Sequence, residues 1–287
     1  MRLLFLNLAC FFLVSFSTPE GIEYQHITTS VPQSIHVLVV NPESYCLRPA
    51  KALDKCVGRE TVLSLADRKG AIAAVNGGFF AIGGYHDGSP CGILKIDGQW
   101  YGLPLHPRGA IGWTDREQKP IFDQLLAHIE GIDVFVESQT GSTTSEQWDS
   151  MDHIVGGTPL LIQNGKRNSN FVSERTISTF LTDRHARTAV GLLPNGYWLF
   201  VVVDGKQPDL SLGMTMDELA DLMQELGCIA ALNLDGGGSS TLVYEGQVIN
   251  HPLGDGDADD DQLSLLRPVS DAILIQDSKT FSANNLE

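Results

Sequence analysis

Short apolar stretches broken by turn dipeptides recur along most of the chain, and this texture predicts strands joined by tight turns. Ile93 to Ile96 runs into Asp97-Gly98, Pro159 to Gln163 into Asn164-Gly165, and Val190 to Leu193 is followed by Asn195-Gly196. Each is a hairpin signal, because Asn-Gly and Asp-Gly accept the positive φ of the favoured turns. Tyr197 to Val203 is continuously apolar and β-branched, as expected of a strand covered on both faces. Helical spacing is rarer. Leu219, Leu222, Met223 and Leu226 share one face, Thr215 with Glu218 forms a capping-box pattern and Gly227 suits a C-terminal cap, so a helix is predicted from Met216 to Leu226. A second is predicted from Glu60 to Lys69, leading into the apolar strand Ala71 to Val75.

The succession strand 197–203, helix, strand 228–234 predicts a β-α-β unit. If its strands are parallel neighbours, Asp204 and Asp235 leave the same sheet edge and face one crevice. The expected class is α+β: a β-rich mixed-sheet core with a few flanking helices. The polar stretch Ser138 to Ser150 reads as a surface loop or lid, and the tail from Asp277 to Glu287 as frayed.

Composition fits that picture. Hydrophobic residues make up 43% of 287 and charged ones 19%, enough apolar surface for a substantial core. The 29 glycines exceed the usual share of about 7%, which points to many tight turns. With 19 Lys+Arg against 35 Asp+Glu, the net charge of −16 repels polyanions, so nucleic acid is excluded as a partner. A single phosphate can still be held by one local arginine or a ring of backbone N–H groups.

At the N-terminus, Arg2 precedes an apolar run from Leu3 to Phe16 with small residues at Ser15 and Ser17, which reads as a signal peptide over residues 1–17. A buried N-terminal strand and a lipoprotein site at Cys10 are the weaker alternatives. Residues 18–287 then form a single domain, secreted or periplasmic, with no span in the mature chain. Export permits a disulfide between Cys46 and Cys56, although connectivity cannot be read from spacing; Cys228 lies in an apolar run and reads as a buried free thiol.

Two segments carry chemistry. Asn233 to Thr241 ends an apolar strand on Asp235, follows it with Gly236, Gly237 and Gly238, and then supplies Ser239, Ser240 and Thr241. Such a loop can cradle a phosphate through N–H and O–H donors while placing one carboxylate beside the reacting carbon. Similarly, Ala73 to Phe80 ends a strand on Asn76, Gly77 and Gly78, with Phe79 or Phe80 available to stack on a sugar.

Together with Gly157 to Leu161, Arg187 to Gly191, Val203 to Gly205, Leu212 to Thr215 and Arg267 to Val269, these blocks resemble the phosphodiester glycosidase family from about Ala71 to Ile275. The resemblance implies that the glycine-rich loops and an arginine meet in one pocket, and that the substrate is a small molecule or polysaccharide carrying a sugar-1-phosphodiester. On that reading the catalytic set is Asp235, Arg187 and Asn76. Asp235 suits a nucleophile or general base, and Arg187 a fork for two phosphate oxygens. Gly77, Gly78, Phe79, Thr158, Thr188, Asp204, the three glycines 236–238, Ser239, Ser240 and Arg267 form the binding set. Asp204 is also suited to capping Gly205 or bracing an arginine.

His86, His153 and His185 are candidate acids. No cofactor is required, although carboxylates at Asp255, Asp257 and Asp259 could hold calcium. Two other readings stand beside the enzyme: a non-catalytic envelope module that binds sugar phosphates or polysaccharide, and a hydrolase using Ser239 or Ser240, which lacks the strained Gly-x-Ser-x-Gly turn.

Overall fold

The computed structural model describes residues 12–15, 19–130, 133–174, 176–254 and 266–278. Three sheets of eight, six and five strands make up the fold. The texture of short apolar runs is explained by how these sheets are covered. Each turns one face into a common core, where Leu38, Phe200 and Leu232 of the largest sheet meet Ile111 and Val155 of the second and Val75 and Ile273 of the third. Each then covers its other face with a separate helix. Met216–Glu225 packs on the eight-stranded sheet, Val62–Arg68 on the five-stranded one, and Ser145–Asp149 lays Trp148 on the six-stranded one.

Trp198–Val203 illustrates the double coverage: Trp198, Phe200 and Val202 enter the common core, and Leu199, Val201 and Val203 pack under the Met216–Glu225 helix. Both faces are dry, which is why no polar residue alternates with the apolar ones. The hairpin signals hold at Asp97-Gly98 and Asn164-Gly165, where both turn residues take positive φ.

Four expectations change. Every strand pairing among the described residues is antiparallel, not mixed. Trp198–Val203 and Ala230–Asn233 run parallel but are not neighbours, because Arg187–Leu192 lies between them and pairs antiparallel with both. The connecting helix therefore spans one strand more than expected, although both strands still end at the same sheet edge. The Ser138 to Ser150 stretch is not wholly loop, since a capping box of Thr144 and Gln147 starts a short helix that buries Trp148. Cys46, Cys56, Cys91 and Cys228 are all free thiols, and only Cys228 is buried. Most of the expected signal peptide, the acidic run at Asp255, Asp257 and Asp259, and the tail beyond Ser278 lie outside the described residues.

Candidate active site

The three sheets converge where several strands end. Asn76 closes Ala73–Asn76, Gly157 closes His153–Gly157, Asn233 closes Ala230–Asn233, and Asp271 opens Asp271–Asp277. Backbone bonds stitch the ends together: Thr158 N–H donates to Asn233 O at 2.9 Å, Asp235 N–H to Gly77 O at 3.1 Å, and Gly77 N–H to Asp271 O at 2.9 Å. Side-chain bulk is excluded at this junction. A Cβ on Gly77 would overlap the Asp271 carboxylate, and one on Gly157 would overlap Asn233 O.

Asn76 ties the junction together. Its amide donates to Asp235 O at 2.8 Å, while its oxygen accepts from the Thr188 hydroxyl at 2.8 Å and from Thr241 N–H at 3.2 Å. Asn76 and Thr188 are both buried, so their polar groups shape the loop that carries Asp235. Asp235 itself is partly buried, with some of its surface left open to solvent. Burial, with the nearby charge of Asp271, pushes the Asp235 carboxyl up to about 6, against the opposing pull of Ser239, the Gly236 N–H and Arg267. Asp271 is raised in turn, chiefly by burial, with Gly78 N–H donating to it at 3.0 Å. Two carboxylates of elevated pKa thus share one junction.

Beside it opens a cleft of about 360 Å³ whose wall includes Phe79, Cys91, Arg108, Thr158, Ile177 and Phe180. A narrower extension runs past Gly78 and Gly156 to Asp271. Phe79 and Phe180 meet edge to face at 5.8 Å. Burial pushes the Cys91 thiol up, with the Asp235 charge adding to the rise and the Arg108 charge opposing it. Arg267 reaches the loop from behind, donating to Ser239 Oγ at 3.4 Å and Gly254 O at 3.3 Å.

The expected residues fall into two groups. Asn76, Gly77, Gly78, Phe79, Thr158, Thr188, Asp235, Gly236, Gly237, Gly238, Ser239, Ser240 and Arg267 gather at or directly behind this junction. Arg187 does not. It starts its strand on the outer face, is fully buried, and donates to the carbonyls of Met214, Phe180 and Asp183 at 2.9, 2.8 and 3.1 Å. Its guanidinium lies 4.9 Å from the Phe180 ring, burial pulls its pKa down to about 10, and Nη1 has no partner.

Asp204 is likewise turned away, toward His36, Asn250 and His251. Among the candidate acids, His153 is buried against Asp115 in the six-stranded sheet, His86 is exposed, and none of the three lines the cleft.

Sequence reasoning missed Arg108, Cys91, Phe180 and both Asp271 and Glu174. Glu174 is wholly buried and accepts from Gly109 N, Leu160 N and Gln124 at 2.8, 2.7 and 2.9 Å, pinning the Phe171–Glu174 turn that leads to Ile177. Asp271 carried a readable signal: like Asp235 it borders an apolar run. Arg108 carried none that separates it from a surface arginine.

A phosphodiester glycosidase family model matches residues 69–276. The chain belongs to this family. It is 29% identical over 246 residues to the uncharacterized SPbeta prophage-derived protein YomE of Bacillus subtilis, a match covering 82% of this chain and 35% of that one. It is 34% identical over 77 residues to the mouse N-acetylglucosamine-1-phosphodiester alpha-N-acetylglucosaminidase, covering 27% of this chain and 14% of the enzyme. The chain thus spans well under half the length of either curated relative. The pro-peptide-inhibited catalytic domain of the zebrafish enzyme shares the fold at a TM-score of 0.64 and 21% identity, covering 94% of this chain and 83% of that domain.

Proposed function

We propose that this phosphodiester glycosidase family member is an exported hydrolase acting on a sugar-1-phosphodiester, releasing free sugar and a phosphomonoester. The observation that carries this reading is Asp235: a carboxyl with a pKa of about 6, at a junction of glycine-lined backbone, beside a cleft with an arginine in its wall. Such a group is ionised at neutral pH yet basic enough to take a proton from water, or to attack the anomeric carbon itself. The departing phosphate keeps the electron pair of the broken bond and needs a cation more than an acid. Arg108, whose side chain makes no hydrogen bond or ion pair among the described residues and lines the cleft, supplies that charge, with Arg267 acting from behind the loop. Phe79, Phe180 and Ile177 give the sugar or second alcohol an apolar wall. Arg187 holds that wall by backing Phe180, a positioning role in place of direct phosphate contact.

The test is to assay the purified chain on a panel of sugar-1-phosphodiesters alongside Asp235→Asn. Release of reducing sugar and phosphomonoester by the parent chain and not by the variant is expected. Binding of the panel without turnover would return the protein to the non-catalytic module.

A further inference from the structure

On the far side of the glycine-rich loop, the Gln33–Val40 strand and the segments following Val203 and Val248 bring together His36, Asp204 and His251. His36 Nε2 lies 3.2 Å, and His251 Nδ1 3.6 Å, from the same oxygen of Asp204, Oδ2. All three atoms are within 4.8 Å of one another. Ligands bound about 2.0–2.1 Å from a tetrahedral zinc stand roughly 3.4 Å apart, so these spacings accept an ion with little movement.

The other polar atoms of the group are engaged as an outer shell requires. The Tyr24 hydroxyl meets His36 Nδ1 at 2.8 Å, fixing the ring and directing Nε2 at Asp204. Asp204 Oδ1 accepts from Asn250 Nδ2 at 3.0 Å and His251 N–H at 2.8 Å, which leaves Oδ2 for the two rings. Ser34 Oγ, 3.1 Å from His36 Nε2 and 2.9 Å from His26 Nε2, closes the third side. His36 and Asp204 are buried, while 49% of the His251 side chain is exposed, which gives an ion a way in and room for a water ligand.

Charge points the same way. Asp204 is a buried carboxylate whose ion-pair partners among the described residues are two histidines, charged only when protonated; no lysine or arginine pairs with it. A second group of similar composition, Asp97, Asp115 and His153, differs on this point, because Arg48 already pairs with both of its carboxylates. The first group alone lacks a permanent cation.

We propose that His36, Asp204 and His251 bind a divalent transition-metal ion, with zinc the natural choice for two imidazoles and one carboxylate. Its role is structural and separate from the cleft chemistry. Asn250 Nδ2 donates to both Asp204 Oδ1 and Ser240 O, each at 3.0 Å, so the ion braces the back of the loop that carries Asp235.

Titration of the chelator-stripped full chain with cobalt(II) tests this directly. One ion per chain should bind with visible d–d absorption, zinc should displace it, and a hundredfold excess of zinc over Kd should raise Tm by about 5 °C. His251→Ala, at a half-exposed position, should weaken binding by roughly a hundredfold, whereas His251→Asp, which keeps a ligand, should retain it. No saturable uptake, or uptake that His251→Ala leaves unchanged, overturns the site. Hydrolytic activity enters none of these readouts, so the outcome is independent of the proposed reaction.

Discussion

Asp235 links the proposed function and stability at a single residue. Its folded-state pKa of about 6 lies above the ordinary aspartate value near 3.9, so the native chain holds this proton longer than the unfolded chain does. The destabilisation is absent below the unfolded value, grows as pH rises toward 6 and is complete above it. Asp235→Asn should therefore raise stability by about 1–3 kcal/mol at pH 7 and by little at pH 4, while abolishing turnover without raising KM. Melting curves at the two pH values and initial rates check this; a variant that is less stable at pH 7 would make Asp235 a structural residue. In the parent chain, kcat/KM should climb through about pH 6 and level off above it, since the proposed reaction needs the ionised form. The two arginines should separate in the same assays. Arg108→Ala should cost roughly 10²–10³ in kcat/KM at unchanged Tm. Arg187→Lys cannot rebuild three carbonyl contacts and should lower stability by about 2–4 kcal/mol, with the folded fraction still active. The reverse pattern would restore Arg187 to the phosphate site.

At the scale of elements, the geometry of the candidate site depends on strand ends more than on helices. The Ala73–Asn76 strand positions Asp235 through Asn76 and Gly77, and the adjacent Asp271–Asp277 strand supplies the second raised carboxyl. Gly77→Ala pushes a methyl group into the Asp271 carboxylate and forces the two ends apart. We expect a loss of about 2–3 kcal/mol and a fall in activity larger than the folded fraction explains, measured by denaturant unfolding and rate together. An alanine there with parental activity would mean that the Asp235–Asp271 arrangement does not matter for the reaction.

At the scale of the molecule, one core shared by three sheets and three separate outer layers cover the strands that lead to the site on both faces. No helix among the described residues is long and apolar enough to cross a membrane. Phe12–Ser15 pairs along the edge of the Ile22–Thr29 strand, and cleavage after Ser17 would remove that edge strand and leave Ile22–Thr29 outermost. Mass spectrometry of protein from its native host should find an N-terminus at Thr18; an intact Met1 would mean that the strand is kept and the chain is not processed.

Much of the architecture was legible in the chain because it is written locally. Turn dipeptides marked the hairpins at Asp97-Gly98 and Asn164-Gly165, a capping box marked the Met216–Glu225 helix, and doubly buried strands showed as unbroken apolar runs. The glycine-rich ends at Asn76 and Asp235 were legible for the same reason: a strand that stops on a polar residue followed by glycines is a local pattern. Pairing partners were not. Nothing local to Trp198–Val203 says that Arg187–Leu192 will lie between it and Ala230–Asn233, because strand order is decided by which faces can be covered together. The direction of single side chains was equally beyond reach. Arg187 and Thr188 are adjacent in the chain, yet the pleat sends one to the outer layer behind Phe180 and the other to Asn76. Arg108, unremarkable in sequence, gains its place in the cleft only because the second sheet brings its strand beside Thr158 and Phe79.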